Sequence, residues 1–205
     1  HADMQIHLAL DAPVAWNNSD LNNVAITHLT PGLDGVSCAM NEADRGLLPA
    51  KGTVVVGQPA ALDPSRVPEG KGLLWIQLQE LPQHILGDAA GEIPIPADGS
   101  WTEEVREAYA DRIIDRIAEH IPNLKQNIIA RTVLSPADLE SININLVGGD
   151  PYGGECSLDQ YFLWRPLRAL KNHQTPLKNL YHIGASTHPG PGLGGGSGYL
   201  VAKNL

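Results

Sequence analysis

Apolar and polar residues alternate at the start of the chain. The apolar positions are Met4, Ile6, Leu8 and Leu10, and the positions between them are Gln5, His7 and Ala9. A period of two predicts a strand with one buried face. Two further apolar runs, at residues 53–56 and 73–78, also predict strands. The stretch between them, residues 62–72, is rich in proline and glycine and predicts an ordered connecting loop.

The apolar period then changes from two to four, which predicts a long amphipathic helix. Ser100 and Glu103 have the spacing of a capping box at its start, and Pro122 is expected to close it. The face predicted to be buried carries Val105, Tyr109, Ile113, Ile117 and Ile121. The opposite face is rich in charged residues and is expected to be solvated, without a catalytic pair.

Signals of both strand and helix continue after this helix. Residues 127–133 predict a strand, and Ser135 followed by Pro136 predicts the start of a second helix. These elements together predict an α+β fold with a mixed sheet and packed helices. No clean domain boundary is expected before about residue 175.

The composition excludes several classes of protein. The chain is 42% hydrophobic and has no apolar run of about 18 residues, which argues against disorder and against a membrane span. A net charge of −9 with 5% aromatic residues does not favour binding to nucleic acid. Two cysteines are too few for a disulfide framework, so a cytoplasmic location is expected. The histidines lack metal-ligand spacing, so no metal site is expected.

Candidate chemistry is concentrated at the glycine-rich end of the chain. Residues 179–183 predict a short apolar strand, residues 184–198 a glycine-rich loop, and residues 199–203 the start of a helix. Such an arrangement presents backbone amides and the positive end of a helix dipole to a ligand. Gly190, Gly192 and Gly195 satisfy the dinucleotide-binding spacing, but two prolines punctuate the motif and make it a weak match.

Residues 181–192, which read Tyr-His-Ile-Gly-Ala-Ser-Thr-His-Pro-Gly-Pro-Gly, resemble the C-terminal flavin-binding signature of the bacterial-type phytoene desaturase family. These FAD-dependent oxidoreductases include carotenoid desaturases, carotene ketolases and uncharacterised pyridine nucleotide-disulfide oxidoreductase-like relatives. Blocks at residues 109–112, 134–140, 148–150 and 156–160 are similar to the same family. The resemblance thus covers essentially the whole chain.

The resemblance implies a division of the chain. Residues 1–175 would belong to a flavoprotein substrate domain, and residues 176–205 would supply the last strand, loop and helix of a Rossmann-like FAD domain. The residues that it assigns to the flavin are Gly184, Ala185, His188, Gly192, Leu193, Gly194 and Gly195. For His188, contact with the flavin and positioning of the loop itself both stay open, with the second favoured.

The resemblance also implies an activity, which is hydride transfer between an apolar organic substrate and FAD. No catalytic acid or base is assigned, because the flavin performs the bond-making chemistry. An N-terminal FAD-binding portion of the same polypeptide is the expected partner, so the chain alone should be inert and should bind FAD weakly. Peripheral contact with a membrane is compatible with this interpretation. The alternative is a self-contained ligand-binding or protein-interaction domain that uses the glycine-rich loop.

Overall fold

The computed structural model describes residues 1–160, 165–167, 173–192 and 195–205 and has an α+β architecture. Its strands are β1 (Ala2–Leu10), β2 (Ile26–Leu29), β3 (Leu47–Leu48), β4 (Val54–Gly57), β5 (Gly72–Leu81), β6 (Gly87–Asp88) and β7 (Ile128–Leu134). Its helices are α1 (Leu33–Asp44), α2 (Glu103–Ala118), α3 (Leu124–Asn127), α4 (Pro136–Ile142) and α5 (Gly196–Asn204). The strands predicted at the start of the chain and at residues 53–56, 73–78 and 127–133 are confirmed.

A five-stranded sheet in the order β2-β4-β5-β1-β7 forms the centre of the fold. β1 lies between β5 and β7, with Ile6 opposite Ile76 on one side and Val133 on the other. Every pairing in this sheet is antiparallel. The expected mixed sheet is therefore wrong for the main sheet. β5 and β7 run parallel to each other, but β1 separates them, and parallel pairing is confined among the described strands to β3 and β6.

The hydrophobic core lies between one face of this sheet and α2. The even-numbered positions of β1 face it, as the alternation predicts, and Met4, Ile6 and Leu8 are fully buried. The apolar stripe of α2 is buried against them, and its members are Val105, Tyr109, Ile113 and Ile117, with Ile121 just beyond the helix. Burying one aliphatic or aromatic side chain of this kind contributes about 1.5–3 kcal/mol, so this contact dominates the stability of the fold.

The start and end of α2 differ from the sequence-based prediction. The N-cap is Thr102, whose hydroxyl accepts from the Val105 amide, whereas Ser100 donates to Asp98 in the preceding turn. The helix ends at Ala118, before Pro122. Two residues that can cap a helix, Ser100 and Thr102, lie two positions apart here, and the serine hydroxyl is already bonded to Asp98. Neither α2 nor any other helix in the described ranges is long and apolar enough to cross a membrane.

The charged face of α2 is exposed at Glu103, Glu104, Asp111 and Asp115, as expected, whereas Arg112 on the same face takes part in a buried ion pair. Arg112 makes two hydrogen bonds with Asp88, whose side chain is 1% exposed. Burial favours the neutral form of Asp88, but the Arg112 guanidinium and the backbone amides of Glu92 and Ile93 outweigh it and lower its pKa to about 2. The charged face therefore anchors the loop after β6 to the helix.

The second predicted helix start is confirmed at α4. Ser135 and Asp138 form a reciprocal capping box, and Pro136 occupies the first turn. Arg106 of α2 donates twice to the Asp138 carboxylate, at 2.9 and 3.0 Å. Burial favours the neutral form of Asp138, but the hydrogen bonds from Ser135, and after them those from Arg106, outweigh it and lower its pKa. α4 is thereby fixed at the end of β7, from which the chain continues toward the glycine-rich end.

Candidate functional site

The candidate site consists of residues 184–195, here called the glycine loop, together with the first turn of α5. Leu193 and Gly194 lie outside the described residues. α5 begins at Gly196, which confirms the predicted helix and moves its start three residues earlier. Gly195 caps the helix with a left-handed backbone (φ 58°) and no side-chain hydrogen bond. The first-turn amides of α5 therefore receive no acceptor from the capping residue.

The strand predicted at residues 179–183 is wrong. The segment makes a single bridge, between Gln174 and Tyr181, and the His182 amide donates to the His173 carbonyl at 2.8 Å. Asn179 has a left-handed backbone (φ 63°), which turns the chain between the two sides of the bridge. An apolar run with a turn inside it lacks the length to extend a ladder, and no described strand lies beside it.

Internal hydrogen bonds give the glycine loop its shape. The Gly184 carbonyl accepts from both the amide and the hydroxyl of Thr187, whose side chain is buried. The Gly190 amide donates to the Thr187 carbonyl at 2.6 Å. The Gly184 amide donates to the Ser197 hydroxyl at 3.0 Å, which ties the start of the loop to α5. Sequence reasoning counted the Gly184 amide among the groups for the flavin, but in this structure Ser197 uses it.

Three glycines of the site border open space. A Cβ built on Gly184, Gly192 or Gly195 would meet no atom within 4 Å. Within the described part of the loop, the amides of Ala185, Gly192 and Gly195 take part in no hydrogen bond. The site therefore combines backbone donors with room for a ligand to approach the main chain.

His188 has an unsatisfied polar atom. Its Nδ1 is buried and has no hydrogen-bond partner in the structure. Buried polar atoms normally have a partner, so an orphan at the loop centre indicates that a further group completes the site. The uncapped amides are donors, the imidazole nitrogen is a donor or an acceptor, and the glycines leave room beside them. Such a set fits the carbonyl-rich edge and the hydroxylated chain of a flavin.

A second turn, residues 150–155, packs against the glycine loop. Asp150 shapes it by accepting from the amides of Tyr152 and Gly154, at 2.8 and 3.0 Å. Gly153 lies so close to the loop that a Cβ there would be 3.1 Å from the Ser186 amide nitrogen. The glycine pairs 148–149 and 153–154 border and form part of this turn. The close approaches in this structure are to protein atoms.

Arg165 joins this turn to the glycine loop, and sequence reasoning did not single it out. The residue is 4% exposed, and its guanidinium donates to backbone carbonyls on both sides. The acceptors are Ala185 at 2.9 Å, Glu155 at 2.8 Å, Tyr152 at 2.6 Å, and Gln160 and Gly154 at 3.4 Å. The one sequence signal was its position as the lone charged residue within the apolar run 161–167.

Asp3 lies at the other side of the same turn. It is 1% exposed, its Oδ2 accepts from the Gln77 amide group, and its Oδ1 is buried without a partner. Burial raises the pKa of Asp3 to about 6, the Gln77 bond opposes this, and the Asp150 carboxylate adds to it. An acid at the bulged start of β1 is therefore electrostatically coupled to the residue that shapes the turn.

The other candidate groups are dispersed. No cluster of three or more metal-ligating side chains occurs among the described residues. The aromatic residues Tyr161, Phe162 and Trp164 lie outside the described ranges. The chemistry that the structure brings together is thus that of the glycine loop, α5 and the turn at 150–155.

Comparison with known proteins agrees with the resemblance in the sequence, although no family model matches the chain. Pyridine nucleotide-disulfide oxidoreductase domain-containing protein 2 of mouse is 32% identical over 164 residues, covering 80% of this chain and 26% of that protein. The rat protein of the same name is 31% identical over 171 residues, covering 82% and 28%. A lycopene-forming phytoene desaturase of a Paracoccus species is 33% identical over 138 residues, covering 67% and 24%.

The chain spans about a quarter of the length of these curated relatives. The matches cover two thirds or more of the chain itself. The chain belongs to the oxidoreductase family that contains the pyridine nucleotide-disulfide oxidoreductase domain proteins and the phytoene desaturases.

Proposed function

We propose that the chain is part of an FAD-dependent oxidoreductase, in which the glycine loop and α5 hold the flavin end of FAD. The proposed contacts are Ala185, His188, Gly192, Leu193, Gly194 and Gly195, with Gly184 forming the bend that starts the loop. The relatives are about four times as long as the matched region. The adenosine and pyrophosphate contacts are therefore assigned to another portion of the same polypeptide, and residues 176–205 to its Rossmann-like FAD domain.

One observation supports the assignment of the loop more than any other. The Cα atoms of Gly184, Gly192 and Gly195 face open space beside uncapped amides, while the Nδ1 of His188 is buried without a partner. The internal bonds of Thr187 give the loop a defined shape, and the imidazole nitrogen of His188 is left without a partner inside it. Both features are typical of a surface that a second group completes.

The residues of this chain would bind and orient, and FAD when bound would accept a hydride from the substrate. The first-turn amides of α5 carry the positive end of the helix dipole, and they stabilise negative charge brought next to them. Glycine at 192 and 195 lets a planar ring approach the main chain. The buried Thr187 keeps the bend at Gly184 fixed while this happens.

For the substrate, we propose an apolar organic molecule. The printed name of one relative is phytoene desaturase, and phytoene is a hydrocarbon. The titratable side chains nearest the glycine loop are His188 within it and His182, whose Nε2 lies 3.2 Å from the Ser186 hydroxyl. We assign neither of them a catalytic role, because in flavin chemistry the cofactor itself accepts the hydride. Substrate selection would then depend on shape and on apolar surface rather than on charge.

A paired substitution tests the flavin site. Gly195 and Gly70 both have left-handed backbones (φ 58° and 76°), and a Cβ on either meets nothing within 4 Å. Asparagine tolerates this backbone, so Gly195→Asn and Gly70→Asn should affect folding equally. If Gly195 faces the flavin, its asparagine variant should weaken FAD binding by about tenfold or more, since overpacking a filled site costs about 1–3 kcal/mol.

The measurement uses the complete polypeptide that carries this chain, titrated with FAD and followed by flavin fluorescence. A yellow wild-type protein, a weakened Gly195→Asn variant and an unchanged Gly70→Asn variant would support the proposal. Wild-type protein that takes up no FAD would refute it and favour the alternative, a self-contained binding or interaction domain. Equal affinities in all three proteins would remove Gly195 from the flavin site.

A further inference from the structure

We infer that Arg165 is a positioning residue for the flavin, acting through the glycine loop without touching the cofactor itself. This inference rests on the function proposed above, because it concerns the same site. Arg165 holds the Ala185 carbonyl with one side of its guanidinium and the turn at 150–155 with the other. The backbone that carries the proposed flavin contacts is thereby fixed to the body of the fold.

The geometry of the guanidinium explains why an arginine is required. Its Nε donates to Ala185 at 2.9 Å, while Nη1 and Nη2 donate to Glu155 and Tyr152 at 2.8 and 2.6 Å. These acceptors lie on two separate segments, so three different nitrogens must point in different directions. A planar fork with fixed donors does this, whereas a lysine ammonium is a single point.

Burial makes the contact costly to disturb. Arg165 is 4% exposed, and a charged group removed from water needs polar partners to offset its lost hydration. The carbonyl dipoles of the two segments supply them. Moving the glycine loop away would remove the Ala185 acceptor and leave part of a buried charge unsolvated. The loop is therefore held in one position before any flavin arrives.

A second contact acts in the same place and does not depend on charge. Gly153 packs directly on the Ser186 backbone, with a left-handed conformation of its own (φ 67°). The turn that Gly153 belongs to is shaped by Asp150, which accepts from the Tyr152 and Gly154 amides. The two contacts fall on adjacent loop residues, Ala185 and Ser186, so the turn sets the position of one short piece of backbone.

The test compares Arg165→Lys with a matched control, Arg116→Lys, in the complete flavin-loaded polypeptide. Arg116 also donates to a backbone carbonyl, that of Gly52 at 2.6 Å, but on α2 away from the glycine loop. We expect the dissociation constant for FAD to rise at least about tenfold in Arg165→Lys, because a hydrogen bond from a charged donor is worth about that factor. The visible flavin spectrum and the reduction potential should shift in the same variant. Arg116→Lys should leave all three unchanged.

The outcomes separate this inference from the proposed function. Wild-type protein that binds no FAD would end both. Wild-type protein that binds FAD, with Arg165→Lys unchanged in affinity, spectrum and potential, would overturn the role of Arg165 alone. Equal weakening in Arg165→Lys and Arg116→Lys would also overturn it, because the effect would then be general destabilisation.

A further variant keeps the test decisive if Arg165→Lys does not fold. Gly153→Ala places a Cβ 3.1 Å from the Ser186 nitrogen and moves the loop without removing a charge. It should weaken FAD binding and shift the flavin spectrum, and Gly91→Ala, at an open left-handed glycine (φ 71°), is its control. Identical FAD binding by these two variants would overturn the inference.

Discussion

Replacing Asp3 with asparagine should change how the stability of the chain depends on pH. Asp3 is buried at the start of β1, with one carboxylate oxygen bonded to Gln77 and the other without a partner. Asparagine has nearly the same shape and can still accept from Gln77, but it cannot ionise. The substitution therefore removes the titration of this carboxyl with little change in packing.

The size of the effect follows from the pKa of Asp3, which burial raises from 3.8 to about 6. The folded protein then holds the proton more tightly than the unfolded chain does. Below pH 3.8 the carboxyl is neutral in both states, and its contribution to stability is fully present. That contribution is lost as the pH rises through about 6, and the total loss is about 3 kcal/mol.

Urea unfolding at a series of pH values measures this directly. The free energy of unfolding of wild type, relative to that of Asp3→Asn, should fall by about 2–3 kcal/mol between about pH 4 and pH 7.5. Because the comparison is between pH values, any constant cost of the asparagine amide cancels. Asp20→Asn, at an exposed aspartate, is the control and should run parallel to wild type. A constant difference between Asp3→Asn and wild type across this range would refute the reasoning.

Three further predictions concern α2, and urea unfolding measures each of them. Arg112→Met should destabilise by about 2–3 kcal/mol near neutral pH, because the buried Asp88 loses its charged partner and keeps only the Glu92 and Ile93 amides. The pKa of Asp88 is lowered to about 2, so the advantage of wild type should be present above pH 3.8 and lost as the pH falls through about 2. Thr102→Ala should cost about 1 kcal/mol and more than Ser100→Ala, and the opposite order would contradict the observed cap. Tyr109→Phe should cost about 1–2 kcal/mol by removing a buried 3.0 Å hydrogen bond to a backbone carbonyl, and an unchanged stability would contradict this.

The parts of the fold that the sequence predicted correctly are those decided by burial along one element. The alternation in β1 and the four-residue period of α2 both reflect a single apolar face, and such a face is visible without knowing the neighbouring element. The helix start predicted from Ser135 and Pro136 is equally local, since both residues lie within its first turn. Strand pairing is not local, and the antiparallel order around β1 could not be deduced from these patterns.

The two errors in local structure have a common cause. Ser100 and Thr102 both can cap a helix, and the choice depended on Asp98, which engages the serine hydroxyl at 2.8 Å. Residues 179–183 have the composition of a strand, but a strand requires a neighbour to accept its hydrogen bonds. In each case what lies outside the predicted motif decides the outcome: Asp98 engages the Ser100 hydroxyl, and no described strand pairs with residues 179–183.

The candidate site divides in the same way between what is local and what is not. The glycines of the loop can be recognised in the sequence, because a main chain that a ligand approaches closely requires residues without a Cβ. Arg165 and Asp3 could not be identified from the sequence, because the groups with which they interact are distant along the chain. These groups are the Ala185 carbonyl for Arg165 and the Asp150 carboxylate for Asp3. Both act on the turn at 150–155, Arg165 through its carbonyls and Asp3 through Asp150. The interactions that join this turn to its surroundings are therefore the part of the site that local sequence patterns do not reveal.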